Sequence, residues 1–277
     1  MERLLERNIA SLHDRLVLLA PPETLPDGPF RNSDVDLERH GRLVRELQKL
    51  RGHIYLKEGA LERHQLSPDG LHRAPEDEKS WHLLMLNPQG RVSACVWYRE
   101  HHNHVYFDRL RVRNCALART DGWRDLLWKA VELEIARARR DDLRYAEVGG
   151  WAVAEDSRRT CEGVLLALAV YSLGRISGGA IGMTTATARH RSSSMLRRIG
   201  GRRLEVDGVV VPPYYDPSYR CVMEILRFDS REPSASFGHL IERLREKLAH
   251  IPVIMRPCWP MGETVPVLNH ATPAFAS

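Results

Sequence analysis

Residues 147–173, EVGGWAVAEDSRRTCEGVLLALAVYSL, constrain this chain more than any other stretch. YAEVGGWAV, over 145–153, reads as a strand with two glycines inside it. After a polar break, the pattern predicts a helix over roughly 157–173 that is apolar nearly all round. A helix without a polar face has to be buried. The next stretch, GAIGMTTATARHRSSSMLRRIGGRRL (179–204), reads as a buried strand, a polar turn, a short helix ending in two glycines, and a new strand.

The flanking segments extend this pattern. Leu4, Leu5, Ile9, Leu12 and Leu16 give 2–20 one apolar helical face, and PPETLPDGP (21–29) breaks it. A second amphipathic helix is expected over about 34–50, and 51–70 continues as helix and then loop. APEDEKS (74–80) is acidic and exposed in character. WHLLMLNPQGRVSACVWYRE (81–100) predicts a hairpin turning at Asn87-Pro88-Gln89-Gly90, and 104–112 a third strand. Helices follow over 121–140 and 236–249, with late strands in VDGVVVPPYY and YRCVMEILRF. The proline-rich tail after Ile251 is expected to be irregular. Helices, a hairpin, then alternating strands and helices define an α+β (mixed α/β) chain with one central sheet and helices on both faces. The expected division is a helical N-terminal arm at 1–35, a main domain at 36–230, and a C-terminal helix and tail at 231–277.

Composition narrows the function classes. With 43% hydrophobic and 28% charged residues over 277 positions, the chain is globular and can bury a sizeable core. The net charge of +5 is mostly arginine, suited to phosphate and carboxylate recognition. It is compatible with nucleic acid, an acidic carrier protein or a phosphorylated cofactor. The arginines are scattered and no nucleic-acid motif appears, so a nucleic-acid partner ranks last. Cys95, Cys115, Cys161, Cys221 and Cys258 are widely spaced without a CxxC pair, which argues against a disulfide framework or a metal site. Glu2, Arg3, Glu6 and Arg7 stand where a signal peptide turns apolar, and the longest apolar run, 164–170, is too short to span a bilayer. The expectation is a reduced, cytoplasmic, soluble protein without a membrane span.

The order of motifs resembles the GNAT superfamily of acyltransferases. Their phosphate-binding signature is Arg or Gln, two residues, Gly, one residue, then Gly or Ala, opening the helix after the central strand. Arg158 and Gly163 match it, and Cys161 stands at the first glycine. A side chain there crowds the approach of a pyrophosphate, so an acyl carrier protein, which presents only a phosphopantetheine arm, fits better than tight coenzyme A binding. In Met195-Leu196-Arg197-Arg198-Ile199-Gly200-Gly201, Leu196 replaces the tyrosine often assigned as the acid for the leaving thiolate. That replacement is shared with the acyl-homoserine-lactone (autoinducer) synthases and the N-acyl amino acid synthases. Ile54-Tyr55-Leu56-Lys57-Glu58, Glu76-Asp77-Glu78 and Ser80-Trp81-His82-Leu83-Leu84 take the places of that branch's N-terminal motifs. In Ala94-Cys95-Val96-Trp97-Tyr98, Trp97 replaces its usual arginine, a change expected to alter the amine-acceptor pocket. The resemblance covers about 40–228. It implies a single central mixed sheet, with extra N-terminal helices here. It also implies transfer of a fatty acyl group, expected to be long-chain, from an acyl carrier protein or coenzyme A thioester to a small amine. The thioester is a cosubstrate, and no cofactor is held permanently.

Amine attack on a thioester needs a neutral amine, a stabilised carbonyl oxygen and two centres held together. Glu147 is a candidate base, or a strand carboxylate paired with a nearby arginine. Gly149 and Gly150 would let the strand bulge and splay for the pantetheine arm. The amides of Trp151, Ala152 and Val153 would then hold the thioester, unless they simply pair within the sheet. Asp156 or Ser157 would cap the following helix, whose N-terminus, with Arg158 and Arg159, forms an anion site or an ordinary capped helix with solvated arginines. Glu58 and Asp77 suit a substrate ammonium, the alternative being exposed carboxylates. His190 is a second base or phosphate contact, or a solvated surface residue. Tyr214 and Tyr215 line a pocket or pack in the core. The competing reading is a non-catalytic GNAT-like module that binds an acyl thioester or a partner.

Overall fold

The structure is a computed structural model and describes residues 2–256 apart from 23, 25–27, 159 and 190. The chain opens with α1 (Glu2–Ala10), β1 (Leu16–Leu19), β2 (Ser33–Val35) and α2 (Leu37–Lys57). The hairpin β3 (Trp81–Leu86) and β4 (Val92–His101) leads to α3 (Arg124–Arg140) and β5 (Arg144–Val153). Then come α4 (Glu162–Ile176), β6 (Ala180–Thr187) and α5 (Ser192–Ile199). Short strands β7 (Arg202–Arg203), β8 (Glu205–Val206), β9 (Val209–Val210) and β10 (Tyr214–Asp216) precede β11 (Cys221–Asp229), α6 (Ala235–Leu248) and β12 (Val253–Met255).

Among the described residues, one ten-stranded mixed sheet runs β10-β11-β6-β5-β4-β3-β1-β12-β2, with β7 paired to β11. The β5–β6, β1–β12 and β12–β2 pairs are parallel, and the others are antiparallel. α4 is buried on nearly every side, as its composition requires. It lies between the sheet, through Tyr98, Val148 and Phe228, and α6, through Leu240, Ile241 and Leu244. α2 packs Leu43, Leu47 and Ile54 on one part of the sheet, and α3 packs Leu127, Val131 and Ile135 on another. Asp36 caps α2 by accepting from the Arg39 amide at 2.8 Å.

Four expectations change. The helix expected over 2–20 ends at Ala10, and Leu16–Leu19 becomes β1, fully buried between β3 and β12. Four consecutive apolar residues fit a strand covered on both faces as well as they fit a helix, and sheet pairing decides. The C-terminal Val253–Met255 joins the same sheet instead of starting an irregular tail, and residues 257–277 lie outside the described ones. Residues 1–35 and 231–277 thus each contribute strands to the sheet that holds the central segment.

The 104–112 strand is absent. That segment forms two 3-10 turns, Phe107–Arg109 and Arg111–Asn114. β4 already has β3 and β5 as neighbours, so the segment has no edge to join there. Carboxylates take its amides instead: Glu132 from Phe107 at 2.9 Å and Glu147 from Arg111 at 2.7 Å. Lastly, α4 starts at Glu162 and not near 157. Asp156 and Ser157 sit in the 3-10 turn Glu155–Ser157, and Cys161 holds the N-cap position without a side-chain cap bond.

Candidate active site

The site is built where two parallel strands part. β5 and β6 pair from Arg144 opposite Ala180 to Val148 opposite Thr184. Beyond that point residues 149–153 of β5 stay with β4, and 185–187 of β6 stay with β11. The parting coincides with a bulge against β4, where Cys95 faces Ala152 but Trp97 faces Gly149. Gly150 takes φ +66° there, a left-handed conformation that suits glycine. The expected bulge and splay at Gly149 and Gly150 is therefore present.

On the α4 side of the parted strands lies a narrow apolar cleft. Val148 and Thr184, the last paired residues, line it together with Trp151, Ala167, Val170 and Leu196. Trp151 spans the gap, its indole Nε1 donating to Thr184 Oγ1 at 3.4 Å. Tyr171 and Phe228, also in the lining, meet with ring centroids 5.6 Å apart.

On the α2 side the lining is polar and aromatic. Gln48, Arg51, Tyr55 and Glu58 recur at three- and four-residue spacing, so α2 presents them along one stripe. Arg51 is 1% exposed and grips Asp77 with two hydrogen bonds, Nη1 to Oδ1 at 2.7 Å and Nη2 to Oδ2 at 2.6 Å. Gln48 and the Ala74 amide donate to the same carboxylate. Burial alone would raise the Asp77 pKa, and the Arg51 hydrogen bonds and charge hold it below the usual range. Tyr55 donates to the Trp151 carbonyl at 3.0 Å, and its ring meets His72 at 5.4 Å and Tyr219 at 6.4 Å. Burial and the neighbouring Tyr219 raise the Tyr55 pKa, keeping the phenol protonated. Arg111 donates to Glu76 at 2.8 Å and to the Tyr219 hydroxyl at 3.4 Å.

At the mouth, Arg158, following β5, is ion-paired with Glu58. Arg189, following β6, donates to the Glu58 carbonyl at 3.1 Å and to the Arg220 carbonyl at 2.7 Å. The end of α2 thus contacts the loops after both parted strands.

The residues expected to form the site are distributed as follows. Trp151, Ala152 and Val153 lie on the parted strand, and Glu58 and Arg158 pair at its mouth. At Gly163 a β-carbon would make ordinary van der Waals contact, with Val153 at 3.8 Å and Met195 at 4.0 Å. Glu162 beside it is buried and held by Arg15 and by Ser93 at 3.0 Å. Arg159 and His190 fall outside the described residues. Asp77 is not available to a substrate ammonium in this conformation, because Arg51 neutralises it. Glu147 is buried, and its partners are not an arginine side chain but the Arg111 amide, the Val112 amide at 3.4 Å and His101 Nε2 at 3.1 Å. It therefore anchors the turn that carries Arg111. Trp97 is 3% exposed and packs against Gly149 and Gly150. Tyr214 is buried in the core under α3, and Tyr215 is 59% exposed on the edge strand. The tyrosine that this region brings to the α2 side is Tyr219, beside Tyr55 and Arg111. Sequence reasoning missed Arg51, His72, Arg111 and Tyr219. The stripe on α2 was a signal for Arg51, whereas the other three sit in irregular segments that no periodicity marks.

No protein-family profile matches the sequence, and no curated protein matches it. Solved structures do. BjaI, a CoA-dependent acyl-homoserine lactone synthase solved with SAM and isopentyl-CoA, superposes with a TM-score of 0.51 at 14% identity, over 89% of this chain and 94% of its own. The same synthase with MTA gives 0.50 at 14% identity over the same shares. FeeM, an N-acyl amino acid synthase from uncultured soil microbes, gives 0.45 at 10% identity, over 72% of this chain and 89% of its own. The chain has a GNAT-like fold, a large mixed sheet flanked by helices. Within that class it has the fold of the acyl-homoserine lactone synthases, as the order of motifs led us to expect.

Proposed function

We propose that this chain is an N-acyltransferase that moves an acyl group from a thioester to the amine of an amino acid or similar small acceptor. The observation that carries the reading is the parting of β5 and β6 beyond Val148 and Thr184, with an apolar cleft on one side and a polar, aromatic cluster on the other. A pantetheine arm is an extended chain with amide groups, and it would pair with the facing strand edges left open beyond Val148 and Thr184. The acyl chain enters the apolar cleft under Trp151, and the amine approaches from Tyr55 and Arg111. The nitrogen attacks the thioester carbon, the C–N bond forms, the C–S bond breaks, and the sulfur leaves as a thiolate. Amides of the β5 edge that faces away from β4 are the donors for the developing oxyanion.

The donor is an acyl carrier protein or acyl-CoA. Cys161 at the N-cap position of α4 and the engagement of Arg158 with Glu58 favour the carrier, which presents the arm alone. BjaI, solved with isopentyl-CoA, makes a short branched acyl-CoA the natural comparison. Among the described residues no helix is long and apolar enough to cross a membrane.

The test is thiol release. Wild-type protein is mixed with acyl-CoAs of increasing length and with acyl carrier protein loaded in the same series, and amines are then added. Amine-dependent thiol release with formation of the amide, read by mass, supports the reading. Binding without turnover would point to a thioester-binding module, and neither binding nor turnover would end both.

A further inference from the structure

This inference rests on the acyltransferase reading and names a residue for the departure of the thiol. We propose that the Tyr55 hydroxyl is the group that meets the leaving sulfur and protonates it. The first observation is where that hydroxyl stands. The Ala154 amide donates to Ser93 O at 2.7 Å, across the pairing of β5 with β4. Hydrogen-bonding groups alternate in direction along a strand. The carbonyl of Trp151 and the amide and carbonyl of Val153 therefore point away from β4, into the opening beyond Val148 and Thr184. Tyr55 donates to that Trp151 carbonyl at 3.0 Å. Its phenol oxygen thus lies on the open edge itself, and one two-residue repeat of the strand, about 7 Å, spans the distance along the edge to the Val153 amide.

The second observation is that this hydroxyl is held ready to donate. The ring is half-buried, set by edge contacts to His72 at 5.4 Å and to Tyr219 at 6.4 Å. Burial and Tyr219 keep the proton on the phenol. The other hydroxyls around the opening are engaged or turned elsewhere. Tyr219 accepts from Arg111 at 3.4 Å, and Thr184 accepts from Trp151 at 3.4 Å. The Tyr171 hydroxyl is buried against Gly200, where a β-carbon would lie 3.0 Å from it. Leu196, which also lines the cleft, has no proton to give.

An arm paired along the open edge brings an amide N–H to the Trp151 carbonyl and frees the phenol to turn. The thioester oxygen accepts from an amide of the same edge, so its sulfur lies beside the freed hydroxyl. The amine nitrogen attacks the thioester carbon and the C–N bond forms. The C–S bond then breaks with its electron pair on sulfur. Tyr55 gives its proton to that sulfur and takes one from the newly acylated nitrogen, which leaves a neutral amide, a thiol and the phenol restored.

The experiment compares wild type with Tyr55→Phe, which keeps the ring and its contacts and removes only the hydroxyl. Each is given a CoA thioester and a thiophenyl ester of the same acyl group with saturating amine, and thiol release is read above the uncatalysed rate. Binding of the CoA thioester is measured separately by thermal shift. The expected result is a loss in kcat of about 100-fold with the CoA thioester, with binding retained. The loss should shrink to a few-fold with the thiophenyl ester, because a thiophenolate leaves without a proton. Equal losses with both esters, or a variant within a few-fold of wild type on the CoA thioester, would overturn the proposal. Should Tyr55→Phe fail to fold, a series of leaving thiols in wild type carries the test. Rates that change little with thiol pKa are expected, and rates that fall steeply as the thiol pKa rises would overturn it. A wild type that releases no thiol from either ester with any amine overturns the acyltransferase reading, and this inference with it.

Discussion

A β-carbon on Gly150 would lie 2.3 Å from Cδ1 of Trp97. The indole on one strand and the missing side chain on the next are two halves of one packing solution, and together they make the bulge where the cleft begins. Gly149 meets the same ring, with a β-carbon placed 2.5 Å from Cζ2. Replacing Gly150 with alanine adds the cost of a left-handed backbone, about 1 kcal/mol, to an overpacking cost of about 1–3 kcal/mol. Chemical denaturation of Gly150→Ala should show a loss of about 2–4 kcal/mol by that sum. The Trp97→Leu background should remove the overpacking part and leave the backbone part.

Arg51 and Asp77 form a buried, two-pronged ion pair on the α2 side of the parted strands. Removing one partner leaves an uncompensated charge in the interior, which costs about 3–5 kcal/mol. Asp77→Ala should lose that much in urea unfolding. The double variant Arg51→Met with Asp77→Leu should recover most of it, because no charge is then stranded. Equal losses in the single and double variants would contradict the pairing.

His82 links stability to pH. Its ring is buried, and Nε2 donates to the Asp77 carbonyl at 2.8 Å. Burial pushes its pKa down to about 4. As pH falls below about 6.5, the unfolded chain takes up a proton that the folded chain refuses, so stability drops. The drop is progressive between about pH 6.5 and 4 and approaches about 3 kcal/mol for this residue. Asp77, with its lowered pKa, adds its own loss only as pH falls through the lower folded pKa, beneath the carboxylate range. Melting curves across this window should slope downward in wild type, and less so in His82→Gln.

The Arg158–Glu58 pair is partly exposed, with Arg158 at 37% and Glu58 at 19%. Pairs of that kind contribute less than about 1 kcal/mol, so Arg158→Ala should scarcely move the melting temperature. If Arg158 leaves Glu58 to meet the phosphate of the carrier's arm, the same change should raise KM for the carrier-bound thioester about tenfold, the worth of one charge-assisted contact, and leave kcat nearly unchanged. A fall in kcat at constant KM would move Arg158 from binding to chemistry.

The apolar cleft should set the acyl preference. Ala167 lines it from α4, and Ala167→Phe fills space that a chain would use. The variant should favour acyl groups shorter by several carbons, seen as a shift in relative kcat/KM across a thioester series. An unchanged profile would place the acyl chain elsewhere.

Sequence patterning revealed the elements whose burial is uniform or periodic. α4 was legible because an all-apolar helix has only one solution, and the β3–β4 hairpin because Asn87-Pro88-Gln89-Gly90 separates two apolar runs. The bulge was legible from the two glycines of β5. β1 was not, because LVLL reads the same in a helix and in a strand until its partners β3 and β12 are known. Of the residues expected for the candidate site, Trp151, Ala152 and Val153 lie on the parted strand, and Glu58 pairs with Arg158 after it. The α2 side was not legible. Whether Asp77 is free or gripped depends on Arg51, a residue 26 positions away, and Tyr219 reaches Tyr55 from irregular chain.

The most direct test of the central claim is hydrogen exchange with and without a saturating long-chain acyl thioester, carrier-bound or CoA-bound. The account predicts slowed exchange at the facing edges of the parted strands, 149–153 and 185–187, and in the end of α2 around Tyr55. Protection confined to other segments, or no protection with any thioester, would contradict it.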